Sequence, residues 1–188
     1  MSDIRIQRGA VDVADGATTS ITAVGSLSSA FALMNNNRMQ SGGPNGNSGN
    51  QSAADMSGGV ELTAVDTITH RQPLITARHA YEVWEYVGAP GGQHEFIVRG
   101  RVAVTLSGGA SNTAAIAGVI DVDRCVPFVT GIETTLNSAA AYASTAIAYM
   151  SAAGTLTLES QPGAGTTTVY VTVVEFTGAA WAVRHGRG

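Results

Sequence analysis

The sequence predicts an all-β protein of two tandem β-sandwich, jelly-roll-like units related by an internal duplication. Three observations point there. Short runs of Val, Ile, Thr, Tyr and Phe alternate with polar residues and are interrupted by Gly, Asn, Asp and Ser, the pattern of many short strands joined by turns. Segments recur in one order at a displacement of about 90 positions. The 188 residues include 23 glycines but only 13% charged and 6% aromatic residues, so the surface is largely Ser, Thr, Asn, Gly and Ala.

The recurrence defines the units. Ile6-Gln7-Arg8-Gly9-Ala10-Val11-Asp12-Val13 returns as Ile97-Val98-Arg99-Gly100-Arg101-Val102-Ala103-Val104, displaced by 91 positions. Thr67-Ile68-Thr69 aligns with Thr157-Leu158-Glu159, and Tyr81-Glu82-Val83-Trp84-Glu85-Tyr86-Val87-Gly88 with Val171-Thr172-Val173-Val174-Glu175-Phe176-Thr177-Gly178, each displaced by 90. The units are residues 4–92 and 93–188, divided in the Gly- and Pro-containing stretch 88–93. Trp181-Ala182-Val183-Arg184 echoes Phe96-Ile97-Val98-Arg99 and is expected as a closing C-terminal strand.

Along the chain, 11–14 and 20–24 around Asp15-Gly16 predict a hairpin, because glycine accepts positive φ. Residues 39–59, rich in Gly, Ser and Asn, predict a long loop, either mobile or an ordered arm gripping a neighbour through uncharged Asn donors and acceptors. In 81–86 alternation places Trp84 and Tyr86 on one face, assigned to the core, with Val174 and Phe176 in the corresponding places. The alanine-rich stretch 136–150 favours a helix by propensity, whereas the repeat argues for a strand over 146–150 and leaves 136–145 open.

Composition also excludes function classes. No apolar run approaches the roughly 18 residues of a membrane-spanning helix, and the N-terminus lacks the basic and apolar regions of a secretory signal. A net charge of -4 argues against a phosphate-backbone binder. All ten cationic side chains are arginine, so no lysine serves a phosphate loop or a Schiff base. The single Cys125 forbids an internal disulfide and reads as a small core residue. His70, His79, His94 and His185 lack metal-ligand spacing; His70 and His79 flank a turn and read as surface residues. Asp121 and Asp123 on one strand face offer an ion site or, more simply, a solvated strand end. No catalytic residue, cofactor site or metal site is expected.

The unit Ile-x-Arg-Gly-x-Val-x-Val, a turn, a Thr-Ile or Thr-Leu strand, then Val-Trp-Glu-Tyr or Val-Val-Glu-Phe resembles β-sandwich repeats of tailed-bacteriophage structural proteins, notably capsid decoration, collar and fibre-associated proteins. The resemblance spans 6–88 and 97–178 and implies a virion component, assembled in the host cytoplasm, without an active site. The expected function is a capsid decoration (cement) protein bridging subunits of the major capsid protein as a homo-oligomer such as a trimer, without nucleic-acid or membrane contact. A collar, tail or fibre component is one alternative. A carbohydrate-binding module using Trp181 or Tyr170 is another, from a different class. Interface candidates are Arg8, Arg99, Asn45, Asn47, Asn50, Trp181 and Arg184, with the 39–59 loop and strands 4–8 and 181–184 as the contacting elements. Arg8 and Arg99 read first as solvated edge-strand arginines; the functional alternative is an inter-subunit ion pair with a carboxylate such as Glu85 or Glu175.

Overall fold

The computed structural model describes residues 3–39, 58–71, 77–107, 111–134, 146–160 and 166–185. Within them the chain is all-β with several antiparallel sheets. The first half runs β1 (Ile4–Val13), β2 (Thr18–Ser20), a 3-10 turn (Leu27–Ser29), β3 (Ala30–Met39), β4 (Gly58–Ala64), β5 (Thr67–Arg71) and β6 (Ala77–Tyr86). The second runs β7 (Ile97–Ser107), β8 (Ser111–Ala115), a 3-10 turn (Val122–Arg124), β9 (Cys125–Thr134), β10 (Ala146–Ala152), β11 (Thr155–Ser160) and β12 (Thr166–Glu175). The strand expected over 146–150 is present as β10. No helix among the described residues is long and apolar enough to cross a membrane.

Three sheets result, in the orders β1-β6-β3, β10-β11-β8 and β2-β5-β4-β9-β12-β7. The six-stranded sheet draws three strands from each half and is joined where Gly58 and Gly59 of β4 pair with Ile132 and Gly131 of β9. Adding six to each strand number of β1-β6-β3 and β2-β5-β4 gives β7-β12-β9 and β8-β11-β10. Each half thus contributes six described strands, where a jelly roll has eight.

The turn at Asp15-Gly16 forms, with Gly16 at φ +69°, but it does not close a hairpin. β1 pairs with β6 and β2 with β5, so the chain crosses there from one sheet to the facing one. Residues 21–24 are held instead by single bonds, from Ile21 N–H to the Asp66 carbonyl and from Val24 N–H to the Val65 carbonyl. Local turn chemistry specifies the reversal of direction; the partner of each strand is a long-range choice.

Burial follows the period of two. In the first half Ala30 and Ala32 of β3, Val60 and Leu62 of β4, Ile68 of β5, and Tyr81 and Val83 of β6 form one core. In the second, Val104 and Leu106 of β7, Cys125 of β9, Leu156 and Leu158 of β11, and Val169, Val171 and Val173 of β12 form another. Trp84 and Tyr86 share a face that is buried as expected, but it is the face opposite Tyr81 and Val83. With Phe31, Phe96, Val98, Phe128, Val174, Phe176 and Trp181 they fill a third cluster between the halves. All four phenylalanines and both tryptophans of the chain are gathered there. Phe31 packs edge-on to Phe96 at 5.1 Å and stacks on Phe128 at 5.2 Å, while Phe176 meets Trp181 at 5.0 Å. Such ring pairs contribute about 0.5–1.5 kcal/mol each beyond burial, so the few aromatics act as the adhesive between the halves.

The 181–184 segment forms no strand. Instead, Gly178 and Ala180 donate backbone N–H bonds to the Glu95 and Gln93 carbonyls, folding the chain end back onto the connection before β7.

Candidate functional site

Two carboxylates mark corresponding places in the halves. Glu85 stands opposite Ala30 across β6 and β3, and Glu175 opposite Cys125 across β12 and β9. Both are buried among backbone donors preceding a 3-10 turn. Glu85 accepts from Gly25 N–H at 2.6 Å, and Glu175 accepts from Asp121 N–H at 2.7 Å and Ile120 N–H at 3.2 Å. Arginines of the opening strands neutralise them: Arg5 pairs with Glu85, and Arg99 Nε donates to Glu175 at 2.5 Å. A buried carboxylate needs such partners because its desolvation is otherwise costly. The arrangement uses the carboxylates to hold the turns.

Hydrogen-bond register separates Arg8 from Arg99. Arg8 faces Glu82 in the β1–β6 ladder and its Nε donates to Glu82 at 2.6 Å, with its side chain 64% exposed. Arg99 falls where the β7–β12 register shifts, so Gly100 takes the place opposite Val173 and Arg101 that opposite Thr172. The position corresponding to Arg8 in register is therefore Arg101, displaced by 93, because the ladders are displaced by 92 at Ile6 and Val98 and β7 carries one extra residue, Arg99, beyond that point. Likewise Thr67-Ile68-Thr69 corresponds in register to Thr155-Leu156-Thr157. Slips of two leave an alternating pattern unchanged, and the matching side-chain bonds settle these: Thr63 to Thr69 at 2.8 Å, and Ser151 to Thr157 at 2.7 Å.

Arg101 crosses between the halves. Its guanidinium donates to the Leu27 carbonyl at 2.8 Å and the Ala30 carbonyl at 2.5 Å, closing the end of the first 3-10 turn. Nearby, Arg71 pairs with Glu61 at 2.9 Å and lies over the Tyr170 ring at 4.7 Å. The Tyr170 hydroxyl donates to Glu133 at 2.6 Å, and burial, then that carboxylate, push it up to about 12. β5, β9 and β12 are thereby linked by polar contacts.

Of the other interface candidates, Trp181 is half-buried between Phe176 and His94, and Arg184 is exposed. Asn45, Asn47 and Asn50 and most of the 39–59 loop lie outside the described residues, as does 136–145. Asp121 does not share a strand face with Asp123; it caps the second 3-10 turn, accepting from Asp123 N–H at 3.0 Å. Among the described residues no group of three or more His, Cys, Asp or Glu is arranged to hold a metal. Cys125 is fully buried, its thiol pushed up to about 11 by burial and then by Glu175.

Two features escaped the sequence reading. His70 and His79 are wholly buried, not surface residues; their Nδ1 atoms lie 3.2 Å apart, and His70 Nε2 lies 2.9 Å from the Thr19 hydroxyl. Alternation carries the signal for this, because His70 shares the face of Ile68 and His79 that of Tyr81 and Val83. Second, large apolar side chains stand in solvent, Ile120 at 81%, Ile147 at 59% and Tyr149 at 42% exposure. Ile147 and Tyr149 lie on one face of β10, an edge strand whose outer side has no partner among the described residues.

The chain matches no protein-family model, and no curated protein or solved structure resembles it significantly.

Proposed function

We propose that this chain is a structural protein of a tailed-bacteriophage virion, a decoration protein that stiffens the head by bridging subunits of the major capsid protein. The observation that carries the reading is the repetition of architecture. Strand order recurs with a period of six strands, and the ladders shift register at corresponding points, between Met34 and Asn36 and between Tyr170 and Val171. They do so again between Leu62 and Ala64 and between Met150 and Ala152. This supports a tandem duplication of a β-sandwich unit, the organisation on which the resemblance to phage structural repeats rests.

The site chemistry supports a mechanical role. The buried carboxylates and arginines described above are engaged in holding turns and joining halves, and the exposed apolar groups of β10 are suited to burial against a partner surface. The mechanism is additional buried area and hydrogen bonding across capsid subunit boundaries. The carbohydrate-binding reading has less support. Trp181 is packed between rings and Tyr170 is covered by Arg71, so neither offers an open platform.

The test is binding of the purified chain to heads that lack it. Saturable co-sedimentation with a rise in the temperature at which heads release DNA is expected. Absence of binding, with the labelled protein found on the tail in micrographs, would overturn the assignment in favour of a collar, tail or fibre component.

A further inference from the structure

β10 differs from every other strand that ends a sheet. The three sheets present six edge strands, of which β1 carries Arg5, Arg8 and Asp12, β3 carries Arg38, and β7 carries Arg99 and Arg101. β2 and β8 are three and five residues long and mostly Ser, Thr and Asn. β10, Ala-Ile-Ala-Tyr-Met-Ser-Ala, runs for seven residues without a charge, a proline or a glycine. Charges, prolines and brevity are what keep a sheet edge from accepting a further strand, and β10 has none of them.

The corresponding edge in the first half is occupied. β10 corresponds to β4, because Met150 and Ala152 stand opposite Leu156 and Thr155 as Leu62 and Ala64 stand opposite Ile68 and Thr67. β4 takes β9 as an antiparallel neighbour, whereas β10 has no neighbour on that side among the described residues. No second chain can copy the β4–β9 joint there, since Ile147 holds the place of Gly59, whose bare backbone lies against Gly131. A partner of β10 stands instead at the ordinary ladder spacing of about 4.8 Å, where side chains of both strands meet in pairs.

We infer that β10 pairs antiparallel with β10 of a second copy of this chain, about a two-fold axis at Ala148. From Ala146 to Met150 the ladder to β11 is regular, and a register shift interrupts it before Ala152, so Ala148 is the middle of the regular stretch. With Ala148 facing the partner's Ala148, Ile147 faces the partner's Tyr149 on the outer side, and Ala146 faces the partner's Met150 on the core side. The two-fold makes each of these contacts twice. An aromatic opposite a β-branched residue is a favourable cross-strand pair. Ile147 and Tyr149, 59% and 42% exposed, thus gain partners, while Ala146, Ala148 and Met150 carry the apolar side of the second core across the joint.

Nothing in the sheet opposes this. The charge nearest the joint, Glu159, is the only one on β8, β10 and β11; it stands one strand in and accepts from the Tyr149 hydroxyl at 2.7 Å. Pairing turns β10-β11-β8 and its copy into one sheet of six strands, the number that the β4–β9 joint produces within the chain.

The test uses the purified chain without heads. Five residues from each copy make a small interface, so light scattering from about 1 to 300 μM should pass from monomer to dimer. Ile147→Lys with Tyr149→Lys sets cations face to face on an exposed surface and should weaken the dimer at least about 100-fold. Ala148→Cys should form a disulfide-linked dimer on mild oxidation, because paired Cα atoms lie within disulfide reach. Ala146→Cys should not, its two copies lying about 13 Å apart along the strands. Cys125 is fully buried and takes no part.

A chain that stays monomeric throughout, a dimer that survives the lysine pair, an assembly larger than two, or cross-linking at 146 but not at 148 overturns the inference. Should the variants not fold, amide hydrogen exchange of the wild type decides. Protection of β10 that rises with protein concentration supports the pairing. Protection that is the same at all concentrations, or that arises only on heads and so assigns the edge to the capsid protein, overturns it. Since no capsid protein enters the solution measurements, their failure leaves the decoration reading intact, and failure to bind heads leaves the dimer intact.

Discussion

Gly59 lies directly against Gly131, and this contact converts two three-stranded sheets into one of six strands. A Cβ built on Gly59 would come within 2.2 Å of the Gly131 Cα and 2.6 Å of the Thr130 carbonyl oxygen. Only glycine permits two backbones to approach so closely. On the Gly131 side the approach is less severe, 3.0 Å to the Gly59 Cα and 3.4 Å to the Tyr170 ring.

Substitution at this joint should therefore be asymmetric. Gly59→Ala is expected to destabilise the protein by about 2–3 kcal/mol through backbone displacement, and Gly131→Ala by about 1 kcal/mol. Urea unfolding of both variants checks the order; equal midpoints would show that the joint is not close-packed.

The buried ion pairs should differ in the same graded way. Glu175 is 1% and Arg99 14% exposed, whereas Arg5, the partner of Glu85, is 42% exposed. Glu175→Gln leaves Arg99 charged and enclosed and is expected to cost about 3–5 kcal/mol. Glu85→Gln should cost less, because water reaches Arg5. Denaturant midpoints with unchanged slopes are the measurement.

Alkaline pH should weaken the fold. Cys125 and Tyr170 both have raised pKa values, from 9.0 to about 11 and from 10.0 to about 12, so each favours its neutral form in the folded chain. Their contributions are complete below pH 9 and 10 and decline as pH rises to about 11 and 12. For Cys125 the decline is about 1 kcal/mol per pH unit between 9 and 11. Cys125→Ala, matching Ala30 in the first half, should flatten that limb in unfolding curves taken from pH 8 to 11.

On the exposed face of β10, Ile147→Arg should leave the unfolding midpoint within about 0.5 kcal/mol of wild type, since surface substitutions rarely do more. If β10 contacts capsid subunits as proposed, occupancy on purified heads should fall at least about tenfold, the effect of losing some 1.4 kcal/mol of contact energy. Unchanged occupancy would remove β10 from the contacting elements.

Several of these features could be read before any coordinates. The strand at 146–150 and the shared face of Trp84 and Tyr86 both follow from a two-residue side-chain period. The same period concealed the rest. It could not distinguish Arg99 from Arg101 as the register counterpart of Arg8, nor match Thr67 with Thr155 rather than Thr157, because slips by two residues preserve every in-and-out assignment. It also gave no warning that both faces of β6 and β12 are covered. A strand pattern reports which residues share a side, not what lies against that side.

Alternation and turn residues were enough to establish that this chain is made of short strands. Which strands pair, and hence that Asp15-Gly16 crosses between sheets, that His70 meets His79, and that Gly59 meets Gly131, was decided by tertiary structure. Each of those contacts joins strands in different sheets or different halves, and its energy comes from packing and hydrogen bonds made only once the layers have come together.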